Sequence, residues 1–185
     1  MKKNIKSLLV ILTVAVVVAV VLMGSTAFTK NSINVLGVAV KGNNTSAEVN
    51  SKAAEMNDYE NAVAAMINNI RAKNNINAIA ANGSLNEVAA IRSQDLVNRN
   101  YFSHYTPEGT NVFDVMRASG VKFRYAGENL AQATPASIGT PEGFLNAWIN
   151  SPTHMANILR AEYTKIGVSM VESGSRRVVT TVFTN

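Results

Sequence analysis

"KIGVSMVESGSRRVVTTVFTN", Lys165 to Asn185, decides the fold class. Apolar residues alternate with polar ones on both sides of Ser173-Gly174-Ser175. A period of two means a strand with one buried face, and a short Gly-containing break between two such runs means a hairpin. "YAGENLAQA", Tyr125 to Ala133, reads as a further strand or an extended loop.

Upstream the period is different. Val63, Met66, Ile67 and Ile70 fall at i, i+3, i+4 and i+7, one apolar face of a helix that starts near Asp58. "NGSLNEVAAIRSQDLVNR" follows, with Ser84-x-x-Glu87 as a capping box and Leu85, Val88, Ala89 and Leu96 on the inner face. "TNVFDVMRASG" reads as a third helix closed by Gly120. Thr140-Pro141-Glu142 combines a cap, a first-turn proline and a first-turn acid, and opens a helix with Phe144, Leu145 and Trp148. Ser151-Pro152 repeats that logic for a short helix with His154 in its first turn. Helices first and mostly antiparallel strands last predict an α+β domain with helices packed on a sheet.

The 185 residues include no cysteine, which excludes disulfides, a thiolate metal site, a cysteine nucleophile and a lipid-modified cysteine. Such a domain must hold together by its core alone. The formal charge of +5 is mostly an N-terminal effect. Without Lys2, Lys3 and Lys6, 14 basic residues face 12 acidic ones, a surplus of 2. No basic stripe with interleaved aromatics remains, so no nucleic-acid partner is expected.

Those three lysines precede an uncharged apolar run, Leu8 to Met23, broken only by Thr13, and then Gly24-Ser25-Thr26-Ala27. This is a secretory signal pattern. Residues 1–27 are expected to act as a signal peptide cut after Ala27, or as an uncleaved N-terminal membrane anchor. Either way the lysines stay inside and the remainder is extracytoplasmic, secreted or tethered. Residues 28–57, poor in aromatics and rich in Asn, Ser, Lys and Ala, read as a flexible linker. Residues 58–185 are the expected domain.

Four segments stand in order along it. They are "SHYTPEG" (103–109), "GENLA" (127–131), "AWINSPTHMANIL" (147–159) and "KIGVSM" (165–170). Together they resemble the CAP superfamily of cysteine-rich secretory proteins, antigen 5 and plant pathogenesis-related proteins, in its bacterial SCP-like branch. The resemblance spans roughly Tyr59 to Asn185. It implies an α-β-α sandwich, an antiparallel sheet between helices, with a large cleft. It also implies a cleft with two histidines and acidic groups that holds a divalent metal such as Zn2+ in some members. Carried over motif by motif, these are His104, Glu128 and His154, with Asn157 beside the last. Asn129 and Ser151 are further cleft candidates. A second glutamate that many members carry after the helix tryptophan is missing, since Ile149, Asn150 and Ser151 follow Trp148.

The residue types bear on the chemistry. The positive end of a helix dipole favours a neutral imidazole at His154, able to ligate a metal or accept a proton. Two imidazoles and one carboxylate could leave a metal position open for water. The expected function is a cell-envelope binding module for a lipid, glycan, peptide or protein. The alternative is a metal-assisted hydrolase of peptides or cell-wall material, with Glu128 as ligand or general base. A second cleft carboxylate, such as Glu108 or Glu142, would favour the hydrolase. Arg176-Arg177 reads as a solvated hairpin edge.

Overall fold

The computed structural model describes residues 55–185. The expected signal or anchor and nearly all of the expected linker lie outside the described residues. Among those described, no helix is long and apolar enough to cross a membrane.

Helix α1 spans Asp58–Lys73. The Asn57 side chain accepts from the Glu60 amide at 3.0 Å, and the Glu60 carboxylate accepts from the Asn57 amide at 3.0 Å. This closes a capping box. Glu60 also accepts from the Met170 amide at 2.8 Å, so the cap ties the helix start to a strand 110 residues away.

The C-terminal stretch folds as the hairpin β3 (Lys165–Ser173) and β4 (Arg176–Thr184), with Gly174 in its turn at φ +57°. Strand β2 (Ala126–Ala133) pairs antiparallel with β4. Strand β1 (Ala80–Ala81) pairs with β3 in parallel, the one departure from an all-antiparallel sheet. The order is β1-β3-β4-β2.

Helix α2 (Gly83–Asn98) covers one face of the sheet. Its Leu85 and Val88 pack with Val182, and its Leu96 with Val178 and Leu130. All three α2 residues are fully buried, and burying each such side chain contributes roughly 1.5–3 kcal/mol. The helix begins earlier than Ser84: Asn82 is the cap, accepting from the Leu85 amide at 3.1 Å. Both residues suit a cap, and Asn82 has the required extended backbone as the chain leaves β1.

Gly167 of β3 sits directly beneath this helix. A Cβ there would overlap the backbone carbonyl of Leu85. Helix α3 (Val112–Ala118) follows, capped by Asn111 and ended by Gly120 at φ +72°.

Helices α1, α4 (Pro141–Ile149) and α5 (Pro152–Ile158) cover the other face. Val63, Ile67 and Trp148 meet Val168, Val179 and Phe183 there. Thr140 caps α4 as expected, accepting from the Gly143 amide at 3.1 Å. Ser151 holds the corresponding place on α5, yet its side chain makes no cap bond and lies 3.3 Å from the Thr153 hydroxyl.

Arg71 is fully buried and acts as a four-point staple. It donates to the carbonyls of Asn77, Ile158, Arg160 and Tyr163 at 2.7–3.1 Å. It thereby joins the end of α1 to the end of α5 and the start of β3. Arg176 and Arg177 are not a solvated edge. Arg176 donates to Leu96 and Tyr101 carbonyls and to Gln132, and Arg177 lies over the Tyr59 ring and bonds Glu172.

Candidate functional site

The alternation of β2 decides the layout of the site. Glu128 and Asn129 are adjacent in sequence, so their side chains leave opposite faces of the sheet. Glu128 points to the α2 face. There its Oε1 accepts from Arg92 Nε at 2.9 Å, and its Oε2 lies 2.7 Å from His104 Nδ1. Arg92 is 1% and Glu128 3% exposed in their side chains, whereas His104 is 51% exposed.

A carboxylate only accepts, so His104 donates from Nδ1 and presents Nε2 outward. Arg92 also donates to the Tyr101 hydroxyl at 2.9 Å and the Ser103 carbonyl at 3.0 Å. Tyr101 in turn donates to Asp95 at 2.5 Å. One chain of bonds from α2 thus fixes the loop that carries His104, as outer partners fix an imidazole elsewhere.

Asn129 points the other way and is fully buried. It donates to the His154 carbonyl at 3.2 Å and accepts from Asn157 at 2.9 Å. Asn157 also donates to the Glu128 carbonyl at 3.1 Å. Asn129 is therefore a strut between β2 and α5.

His154 has a buried Nδ1 with no hydrogen-bond partner. Its pKa lies below the usual value near 6.5, first because burial disfavours the cation and second because His104 opposes another positive charge. The lowering is in the direction of the expected neutral imidazole, with burial as its first cause.

A pH prediction follows. The unfolded chain takes up the His154 proton before the folded one does. Stability should therefore be flat above about pH 7 and fall as pH drops through 6.5 toward the lowered value. Urea midpoints of wild type and His154→Gln between about pH 5 and 8 check it. A difference between the two that is independent of pH would contradict the assignment.

The candidates divide between two adjoining depressions. A groove of about 330 Å3 takes His104, Glu128 and Asn157, walled by Tyr105 and Phe113. A hollow of about 220 Å3 takes His154 and Ser151. Asn129 lies behind both. The expected three-ligand metal site is not formed: among the described residues no three His, Cys, Asp or Glu side chains come together to hold an ion. Both Glu128 oxygens are already engaged, one by Arg92 and one by His104.

Arg92 was missed by motif, though the sequence holds a signal for it. It continues the stripe of Leu85, Val88, Ala89 and Leu96, where a charged residue requires a buried partner.

The chain is similar to known proteins in sequence and fold. The family description "CAP: Cysteine-rich secretory protein family" matches residues 64–184. The uncharacterized protein YkwD of Bacillus subtilis is 37% identical over 137 residues, which cover 74% of this chain and 50% of that protein. The uncharacterized membrane protein YlbC of the same organism is 31% identical over 105 residues, covering 57% and 29%. The chain thus spans half or less of the curated relatives it matches.

Among solved structures, an extracellular protein containing a SCP domain from Bacillus anthracis is 28% identical. It has a TM-score of 0.61 and covers 69% of this chain and 40% of its own. An outer surface protein of Borrelia burgdorferi is 20% identical with a TM-score of 0.62, covering 71% and 96%, and shares the fold. From the helices on either side of the sheet to the matched span of residues 64–184, the chain is a member of the CAP, or cysteine-rich secretory protein, family.

Proposed function

We propose that this domain works outside the cytoplasm as a metal-free binding module of the cell envelope, with His104 as its recognition group. The observation that carries the reading is the half-exposed imidazole held by a buried ion pair. A half-exposed imidazole fixed from behind suits a ligand with hydrogen-bonding groups, and Tyr105 and Phe113 supply apolar wall. The names of relatives support the location: one is an extracellular protein, one an outer surface protein and one a membrane protein. The Lys-led apolar run of residues 1–27 agrees.

The hydrolase alternative needs a carboxylate free to activate water. Glu128 is doubly engaged. Glu108 is held by both oxygens on Arg99, and Glu142 lines a separate depression with Met66 and Lys73. Neither replaces the missing base.

The test uses the full chain in detergent and a digest of cell-wall muropeptides. Wild type should bind saturably, His104→Ala at least tenfold more weakly, and a chelator should change affinity less than twofold. Equal binding by wild type and His104→Ala, or loss of binding on chelation, would refute the reading.

A further inference from the structure

The groove and the hollow are two halves of one track. Three separate elements each border both. The loop 101–105 gives Phe102 to the hollow and His104 to the groove. Strand β2 gives Leu130 to the hollow and Glu128 to the groove. Helix α5 gives His154 to the hollow and Asn157, one turn on, to the groove. The track therefore runs along β2, with residues 126–128 in the groove and 130–132 in the hollow, so its halves are centred about four strand residues, roughly 13 Å, apart.

Strand β2 is an edge strand. The Tyr125 carbonyl accepts from Asn185 beyond β4, so odd-numbered residues of β2 face β4. Even-numbered residues face outward, alternating as an antiparallel ladder requires. Accordingly the Glu128 carbonyl accepts from Asn157, and the Leu130 carbonyl from the Trp148 indole at 3.0 Å. Gln132 is next in the outward series, and it lines the hollow.

The hollow has an apolar floor that includes Phe144, Trp148 and Leu130, and its polar groups are Gln132, Ser151 and His154. Its 220 Å3 is less than the 300–1,000 Å3 of typical small-molecule sites and suits one side chain better than an acyl tail. The floor's indole N–H is already bonded to Leu130, so sugar hydroxyls there would lose hydrogen bonds. A group that is apolar at its tip and polar at its base fits this hollow, and an apolar amino-acid residue in a peptide is such a group.

We propose that the cleft binds an extended peptide segment. One residue pairs through its main chain with the outward edge of Gln132 and inserts an apolar side chain into the Phe144–Trp148 hollow. The neighbouring residues lie across His104. Adding to a sheet edge with a side-chain pocket beside it is an established mode of peptide capture. The inference rests on the binding-module reading above and specifies its ligand.

Trp148 is the single tryptophan of the chain, so its emission reports on the hollow. The probes are a blocked Gly-Phe-Gly tripeptide, its Gly-Asp-Gly counterpart, chitobiose and phosphatidylglycerol vesicles, each titrated into the full chain in detergent. The Phe peptide should shift Trp148 emission saturably, and the Asp peptide at least tenfold more weakly. Ala147→Leu should abolish the shift. Ala147 is exposed and lines the hollow, so the added carbons fill it without entering the core. No response to the Phe peptide, with muropeptide binding still dependent on His104, overturns the peptide inference and leaves the module reading standing. A Trp148 shift caused by chitobiose or vesicles and lost in Ala147→Leu also overturns it. A Phe-peptide response that persists when muropeptide binding proves independent of His104 upholds the peptide inference and refutes the module reading.

Discussion

Replacing Arg92 by methionine should destabilise the domain by about 3–5 kcal/mol, the usual cost of removing one partner from a buried ion pair. Arg92 and Glu128 are 1% and 3% exposed, so water cannot take over the missing contacts. The variant also strips donors from Tyr101 and the Ser103 carbonyl, which fix the His104 loop. Chemical denaturation of wild type, Arg92→Met, Glu128→Met and the double variant gives the coupling directly. The double variant should recover most of the loss, because a buried pair replaced by apolar groups of similar size is often neutral or better. If the double variant is as unstable as Arg92→Met, the pair is not what holds this part of the fold. His104 should respond as well: with its carboxylate partner gone in Glu128→Met, its ring loses the fixed tautomer, and muropeptide affinity falls with it.

The second large effect is expected at Gly167→Ala. The added methyl would overlap the carbonyl group of Leu85 and approach the Asn86 amide to 2.5 Å. Those atoms are helix backbone and cannot rotate aside. Helix α2 must lift from β3, or β3 must sag toward α1. Overpacking of this kind costs about 3 kcal/mol. For a domain of this size that corresponds to a melting temperature lower by roughly 10 °C. The displacement would travel along α2 to Arg92, so this substitution far from the cleft should also weaken ligand binding. A melting temperature within about 2 °C of wild type would show that the sheet and helix have slack that the close approach denies.

The contrast between these residues shows what the sequence made legible. Local rules placed the elements well. Val63, Met66, Ile67 and Ile70 gave α1, Thr140-Pro141 gave the start of α4, and the Gly174 break gave the hairpin. Motif resemblance named His104, Glu128 and Asn157 before any geometry was known, and they do share a groove. The partners were harder to read. Arg92 meets Glu128 across 36 residues, and nothing local to "GENLA" announces that the carboxylate will be claimed. The parity of β2 was available in principle. A strand at residues 126–133 sends Glu128 and Asn129 to opposite faces, which already argues against both side chains lining one cleft. The capping box at Ser84 failed because two good caps stand two residues apart. The extended backbone leaving β1 selected Asn82.

The indole of Trp148 and the amide of Asn157 have an effect beyond the cleft. They occupy two consecutive outward carbonyls of the sheet's long edge. The opposite edge is the two-residue β1 and then β3, whose Val168 and Met170 amides are taken by the Asn86 and Glu60 side chains. A sheet so bordered cannot template the strand of a second copy over any useful length. One residue can dock at Gln132, but a ribbon cannot grow from it. For a domain that has no disulfide to restrain partly opened forms, these two side chains act as a safeguard against fibrous self-association.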